Sequence, residues 1–577
     1  MTMHPSAQFE RENWISLNGE WKFSIKGKAE VANKIIVPFC PESKLSGVEY
    51  TDFINECVYE KAFTRPKMQE DERLILHFGA VDYEAKVFVN NKYIGKHTGG
   101  YTPFSFDITD FAVEGENTVT VEVYDDVKES VPSGKQSPKK ESYGCFYTRC
   151  TGIWQTVWLE VVPQNRITAV KYFPHIDDTS VDMEIVTTDE GELEVFVSYE
   201  GKQVGYTKQL VQCKALIHLP LKEKHLWEVG NGRLYEVVMR YGKDEVKSYF
   251  GLREVKFDGM KFLLNGKSVF QRFVLDQGYY ADGVYTPKDE SVIENDIRSA
   301  LQLGFNGIRL HQKVFDPTYL YYCDKLGCMA WGEFPSWGIP YDGVSALGVF
   351  TKEWIEAVER DFNHPSIISW CPLNEVWKNI QDARKSRDVR FIDAVYEITK
   401  QLDNTRPCVD VSGGFHGHKT DLYDFHCYEE YEKVEGYLER LEKDDCLEVP
   451  LLYDEKEPQL RYRAEIPTNI SEYGGFRFSQ SESVTQVNTV NECGVDCTES
   501  WGYGKGETDE KSFVERYCKL TKLLLRHPKL SGFCYTQLYD IEQEQNGFFT
   551  YERVPKLSAQ AEIKIAECNR TLAEIEK

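Results

Sequence analysis

The sequence predicts a multidomain β plus α/β protein: a jelly-roll-like N-terminal β-sandwich, an immunoglobulin-like β-sandwich and a C-terminal (β/α)8 TIM barrel. Three observations predict it. Up to about residue 255 the chain alternates apolar and polar residues at the period of two that marks strands. Beyond that point strand and helix patterns alternate, as in a parallel sheet. The chain also has 577 residues, too many for a single hydrophobic core.

Residues 1–163 form the first sandwich. "NTVTVEVYDD" places Val119, Val121 and Val123 on one face and Thr118, Thr120 and Glu122 on the other. "AKVFVNNKYIGKH" reads as strand, Asn90-Asn91 turn and strand, because Asn tolerates the positive φ of a tight hairpin. Residues 164–255 continue in a smaller unit. There "ELEVFVSYEGKQVGY" aligns Leu193, Val195, Val197 and Tyr199 and then turns at Glu200-Gly201.

Residues 256–577 begin with one more hairpin, at Asn265-Gly266. Next, "SVIENDIRSALQLG" carries Ile293, Ile297, Ala300 and Leu301 on one helical face, with Gly304 to end it. "DPTYLYYCDKLG" has Pro317 in its first turn and Gly327 at its end. Eight candidate strands follow this rhythm: 269–275, 306–310, 328–333, 366–371, 407–411, 422–427, 468–472 and 531–536. Eight parallel strands in this length fit a TIM barrel. A doubly wound open sheet is the alternative.

A formal net charge of −25 argues against nucleic acid or an anionic membrane as partner. No apolar stretch reaches the length of a membrane span, and "MTMHPSAQFERENW" lacks the apolar core of a signal peptide. The 16 cysteines are scattered without a Cys-x-x-Cys, so the expectation is reduced thiols in a cytoplasm and no metal site. A homo-oligomer is compatible with all of this.

In a TIM barrel the chemistry sits at the C-terminal ends of the strands. Strand 4 runs into Asn374 and Glu375, and strand 7 ends in Glu472. Strand 3 ends in Glu333, and strand 2 carries Arg309, His311 and Lys313. Strand 6 carries Asp424, His426 and Tyr428, strand 8 carries Tyr535, Gln537 and Asp540, and Asp276-Gln277 follow strand 1. Two glutamates facing each other across one mouth are the equipment for glycoside cleavage. One attacks the anomeric carbon while the other protonates the leaving oxygen. Aromatic side chains would offer stacking surfaces to a sugar ring, and Trp501, in the loop "TESWGYGKGE", reads as a lid over the site or as an ordinary packed tryptophan. Taken singly, a glutamate after a strand is most often a solvated loop residue, so the pairing carries the argument.

The motifs "LNGEWKF", "VNNKYIGKHTGGYTPFSFDIT", "TGIWQTVWLE", "GFNGIRLH", "WCPLNE" and "ISEYGG" resemble glycoside hydrolase family 2, the group of β-galactosidases, β-glucuronidases and β-mannosidases. The resemblance covers nearly the whole chain. It implies a retaining, exo-acting β-glycosidase of small glycosides, with Glu375 as acid/base, Glu472 as nucleophile and Asn374 on the sugar 2-hydroxyl. Arg309, His311, Asp276, His426, Tyr428, Tyr535, Trp501 and Arg149 are the candidate sugar contacts. No organic cofactor is implied. Family β-galactosidases often use Mg²⁺, but the sequence picks out no ligand set for it.

Three departures from the family pattern bear on the sugar. Phe146 stands where many members carry an aspartate, Asp276-Gln277 replace His-Glu, and "EQNGFFT" lacks the Asn-x-Lys that grips a uronic acid. On family prevalence, and with that grip missing, a galactose-configured neutral sugar is the leading expectation and a hexuronide the runner-up. Arg149, Arg272, Arg309 and Lys313 are the cations that would reverse that order by converging in the pocket. A catalytically inactive carbohydrate-binding protein on the same fold is the non-enzyme alternative.

Overall fold

The computed structural model describes residues 4–28, 30–127, 130–341, 343–376, 388–449, 462–478, 500–507 and 509–577. Trp377, one of the two indoles flanking Glu375 in sequence, lies outside the described residues.

The first sandwich packs a four-stranded sheet (Trp14–Ser16, Val157–Pro163, Glu72–Phe78, Phe104–Asp107) on a six-stranded one. The six-stranded order is Lys34–Val37, Gly19–Ile25, Glu56–Thr64, Glu116–Tyr124, Glu84–Val89 and Lys92–Thr98. Val119, Val121 and Val123 are buried between the sheets as the alternation predicts. A one-residue slip would expose all three, at about 1.5–3 kcal/mol each, so the register is fixed. The expected turns occur, with φ of +51° and +63° at Asn90 and Asn91.

The second sandwich is built on one long hairpin, Ser180–Tyr199 with Lys202–Pro220. Its register breaks between Val186 and Glu190. Before the break it pairs with Ile167–His175, and after it with Tyr235–Tyr241, so one hairpin serves both layers. Leu193, Val195 and Val197 are buried.

The remaining chain forms the barrel. Seven parallel strands run in the order Ile367–Cys371, Met329–Glu333, Gly307–Leu310, Gln271–Asp276, Leu530–Tyr535, Thr468–Tyr473 and Tyr423–Cys427. The expected fifth strand is shorter than read. It pairs with strand 4 at Cys408 beside Trp370 and again where Val411–Ser412 meets Leu373–Asn374. Helix Glu290–Gln302 buries Ile293, Ile297 and Ala300. Helix Pro317–Leu326 has Asp316 as N-cap, accepting from Thr318 N, and Gly327 at φ +68° as C-cap.

The two ends of the barrel differ in chemistry. Phe273, Leu275, Met329, Trp331, Ile368, Val409, Leu422 and Cys534 fill its lower interior. Phe262 and Leu264, from the short sheet Val255–Ser268, join the same cluster and close that end. Gln271 is held there by the indole N–H of Trp331 (2.9 Å), and the charged residues on the inward face lie at the upper end, where the strands run out.

Candidate active site

Alternation within each barrel strand decides which side chains reach the interior. Ile308 and Leu310 point outward into the helical layer, so Arg309 and then His311 point inward. Phe425 points outward, and Asp424, His426 and Tyr428 point inward. In strand 7 the pairing shifts between Ile470 and Tyr473. That irregularity turns both Ser471 and Glu472 inward, where strict alternation would send Glu472 out.

Arg309 is the hub. It is fully buried, and its guanidinium donates to Glu333 Oε2 (2.7 Å), Glu472 Oε1 (2.9 Å), Asn374 Oδ1 (2.8 Å) and Ser412 Oγ (2.6 Å). Burial works against its charge, but Glu333 and Glu472 outweigh that and hold it protonated well above the usual arginine range. A planar fork of five donors can span four acceptors on strands 3, 4, 5 and 7 at once; a lysine ammonium cannot. Glu333 in turn lies 2.9 Å from His311 Nδ1 and accepts the backbone N–H of Gln312 at 3.1 Å.

Glu375 follows Asn374 in a left-handed backbone conformation, φ +48°. That region is sparsely used by residues with a side chain and recurs at active sites. Gly414 makes the approach of strand 5 possible: a Cβ there would lie 2.6 Å from Val376 N and 3.0 Å from Glu375 Cα.

Glu375 and Glu472 open onto one space. One carboxylate oxygen of each and a ring nitrogen of His426 all lie within 4.8 Å of one another. His426 Nδ1 is 2.8 Å from Glu375 Oε1 and 3.3 Å from Glu472 Oε2. Its Nε2 faces Arg309 NH1 at 3.3 Å, a group that can only donate. Nε2 also lies 3.0 Å from Ser471 Oγ; with two carboxylates on Nδ1 and the guanidinium on Nε2, Nδ1 carries the proton toward the two glutamates. Burial, with Arg309 adding to it against the pull of Glu472, pushes the His426 pKa down to about 3, so the ring is neutral near pH 7. Tyr428 completes the set by donating its hydroxyl to Glu472 Oε2, with Thr536 Oγ1 3.1 Å away.

Aromatic side chains wall this space. Trp337 donates its indole N–H to Asn374 O (3.0 Å). Trp501 is buried beside Tyr503 and donates to Gly144 O (2.7 Å), which ties the 500–507 segment to the first sandwich. Tyr503 stacks flat on Tyr428, with centroids 3.4 Å apart. From the first sandwich, Phe146 packs against Trp337, and Tyr147 donates to Glu544 and accepts from Gln277 Nε2 (2.9 Å). Trp370, by contrast, packs on Trp354 in the helical layer and bonds Asp403.

Of the residues singled out in the sequence, Glu375, Glu472, Asn374, Arg309, His311, His426, Tyr428 and Trp501 are brought together. Asp276, Tyr535 and Arg149 are not. Asp276 and Tyr535 have the outward parity of their strands. Asp276 accepts from Tyr319 OH (2.8 Å) on a barrel helix, and Tyr535 is packed among Tyr473, Tyr517 and Phe548. Gln277 and Thr536 hold the inward places instead. Arg149 donates to the carbonyls of Ser137, Lys139, Thr51 and Lys140, inside its own sandwich.

Two further cations are also committed elsewhere. Arg272 bonds Glu576 at the closed end of the barrel, and Lys313 donates to Gly278 O and Tyr285 O. Sequence reasoning missed Ser412, Ser471, Trp337, Tyr503, Glu544 and Lys135. The inward parity of strand 7 could have found Ser471; nothing local in the sequence marks Lys135, which arrives on a loop of another sandwich.

Among the described residues, Glu375, His426 and Glu472 form the one cluster with the spacing to hold a metal ion. A nitrogen and two carboxylate oxygens suit a borderline ion such as Zn²⁺ better than Mg²⁺, which prefers an all-oxygen octahedron.

Comparison with known proteins gives the family and the fold. Residues 49–163 match the model "Glycosyl hydrolases family 2, sugar binding domain", and residues 255–480 match "Glycosyl hydrolases family 2, TIM barrel domain". A β-glucuronidase of Streptococcus agalactiae is 26% identical over 63% of this chain and 66% of its own length. A β-galactosidase of Thermoanaerobacter pseudethanolicus is 27% identical over 60% of this chain and 47% of its own. The aligned part thus spans less than two thirds of these relatives. In overall fold the chain superposes on a β-glucuronidase from an uncultured Clostridium species, with a TM-score of 0.77, 21% identity and coverage of 99% and 100% of the two chains. A galacturonate-bound β-galacturonidase from Eisenbergiella tayi gives a TM-score of 0.76, 19% identity and 98% coverage of both.

Proposed function

Because this chain belongs to glycosyl hydrolase family 2, we propose that it is a retaining, exo-acting β-glycosidase that releases terminal β-linked sugars. The observation that carries this reading is the placement of Glu375 and Glu472, with one oxygen of each within 4.8 Å of the other. Retaining glycosidases hold their two carboxyl groups about 5–5.5 Å apart, whereas inverting ones leave room for a water.

In the proposed cycle Glu472 attacks the anomeric carbon while Glu375 gives its proton to the glycosidic oxygen. Arg309 and Tyr428 bond the nucleophile from both sides and fix its direction of attack. Water then displaces the enzyme–sugar ester as Glu375 takes back a proton. Asn374, anchored by Arg309 and Ser412, is the candidate partner for the sugar 2-hydroxyl. Exo action is supported by the wall of Trp337, Trp501, Tyr503 and Phe146 packed together beside Tyr428.

The sugar has two readings. A neutral β-galactoside is supported by relatives named β-galactosidase and by the commitment of Arg149, Arg272 and Lys313 to other partners. A β-hexuronide is supported by relatives and fold neighbours named β-glucuronidase and β-galacturonidase. Hydrolysis of a panel of nitrophenyl β-galactoside, glucuronide, galacturonide, glucoside and mannoside, with the first-formed anomer read by NMR, tests the proposal. Release of the β-anomer is expected; release of the α-anomer, or activity that survives loss of Glu472, would refute it.

A further inference from the structure

We propose that Lys135, carried into the barrel mouth by the first sandwich, receives the carboxylate of an acidic sugar ring, so that the site takes a terminal β-linked hexuronide in preference to a neutral hexoside. This rests on the glycosidase reading above.

The geometry that places Lys135 is specific. The backbone N–H groups of Ser133 and Gly134 donate to Trp337 O at 2.8 and 3.1 Å, and Tyr147 N donates to Lys135 O at 2.8 Å. Gly134 adopts φ +55°, and a Cβ there would lie 2.3 Å from Gln312 O, so the loop is pressed onto the barrel where only glycine fits. The side chain it presents is 94% buried, with Nζ 3.9 Å above the Trp337 ring. That same indole bonds Asn374 O, which puts the ammonium one aromatic ring away from the Asn374-Glu375 corner. Its field is felt at His311, His426 and Glu544, residues of strands 2, 6 and the segment after strand 8. Lys135 thus sits on the indole that borders the Asn374-Glu375 corner.

The other candidate cations do not share this position. Arg309 lies between Glu333 and Glu472, and Arg149, Arg272 and Lys313 are held by groups away from Trp337 and Asn374. A ring carboxylate entering a buried, acid-lined mouth must meet a cation to offset its lost hydration and the repulsion of Glu375 and Glu472. An ammonium held by an aromatic face is a fit receptor. The rival role for Lys135 is counter-ion to the acids alone, which would serve neutral and anionic sugars alike.

The experiment measures kcat/KM for nitrophenyl β-glucuronide, β-galacturonide and β-galactoside at equal ionic strength, in wild type, Lys135→Gln and Lys135→Arg. Wild type should prefer one uronide over the galactoside by at least tenfold. Lys135→Gln should lower that ratio at least thirtyfold, chiefly through KM, and Lys135→Arg should recover part of it. A wild-type preference for galactoside, or equal losses on both sugars, overturns the proposal. If none of the glycosides is hydrolysed, the glycosidase reading fails on its own. Calorimetric titration of the same unhydrolysed compounds then decides the inference: uronide binding lost in Lys135→Gln upholds it, and absence of a uronide preference in binding overturns it.

Discussion

The Nδ1 atom of His426 lies 2.8 Å from Oε1 of Glu375. Because Nε2 faces the donor-only Arg309, the contact is a donation from the ring to the carboxylate. A donor on the charged form favours that form. Removing it in His426→Phe should make Glu375 hold its proton to higher pH. The expected outcome is a basic limb of the kcat/KM–pH profile displaced upward, with kcat lowered by about 10–100-fold. An unmoved limb would leave His426 with no more than a packing role.

The two glutamates should separate by leaving group. Glu375→Gln removes the proton donor. Hydrolysis of unactivated alkyl glycosides should fall by about 10²–10⁴-fold, and formation of the glycosyl-enzyme from dinitrophenyl glycosides should fall far less. Glu472→Gln removes the nucleophile and should fall below about a thousandth of wild type on every substrate. Steady-state rates over a series of leaving-group pKa values read the difference, and parallel losses in the two variants would contradict the assignment.

Most of the architecture and the acid pair were legible because they rest on period and position. Val119, Val121 and Val123 show a sheet face, and Asn374-Glu375 and Glu472 stand where parallel strands end. Asp276 and Tyr535 have side chains that suit the site, but parity along their strands turns them outward. Gln277 and Thr536, one position further on, face the interior. Glu472 itself breaks parity, and only a register shift in three dimensions brings it in. Arg149 was selected for its charge, yet its guanidinium is used to close the loop at 137–140. Lys135 and Trp337 meet across more than 200 residues of chain, a contact that no local pattern encodes.

Arg309 should matter for stability as well as chemistry. Arg309→Met would leave Glu333 and Glu472 buried without their cation, the kind of loss that costs about 3–5 kcal/mol. Arg309→Lys restores charge but cannot reach Glu333, Asn374, Ser412 and Glu472 together. Both variants should unfold at lower denaturant than wild type, with Lys only partly restoring stability. Stability equal to wild type in Arg309→Met would mean that the hub is dispensable.

Divalent ions provide a check on the acid pair that needs no mutation. Zn²⁺ should inhibit by engaging Glu375 and Glu472, with His426 Nδ1 joining as the ring proton moves to Nε2 and faces Ser471 Oγ (3.0 Å); inhibition should be competitive with substrate and weaken as pH falls. Mg²⁺ and chelators should change the rate little. A loss of activity in chelator that Mg²⁺ restores would reveal a resident ion instead.

The contact between barrel and first sandwich should carry a pH signature. Glu353, on helix Val344–Asp361, is buried and accepts the backbone N–H of Tyr101 at 2.6 Å. Burial pushes its carboxyl up to about 8. The folded protein therefore keeps a proton that the unfolded chain releases above pH 4.5, the ordinary value. Where the unfolded state binds fewer protons, stability falls as pH rises, so Glu353 erodes stability between about pH 4.5 and 8. Glu353→Gln cannot ionise and keeps an oxygen to accept from Tyr101. Relative to wild type, this variant should gain stability steadily across that window and level off above it, by an amount on the order of a few kcal/mol. Groups remote from Glu353 cancel in the difference, and its neighbours Asp82 and Glu356 contribute through their coupling to it. Thermal unfolding of the pair from pH 5 to pH 9 measures it, and a difference that stays constant with pH would show that Glu353 does not take up a proton on folding.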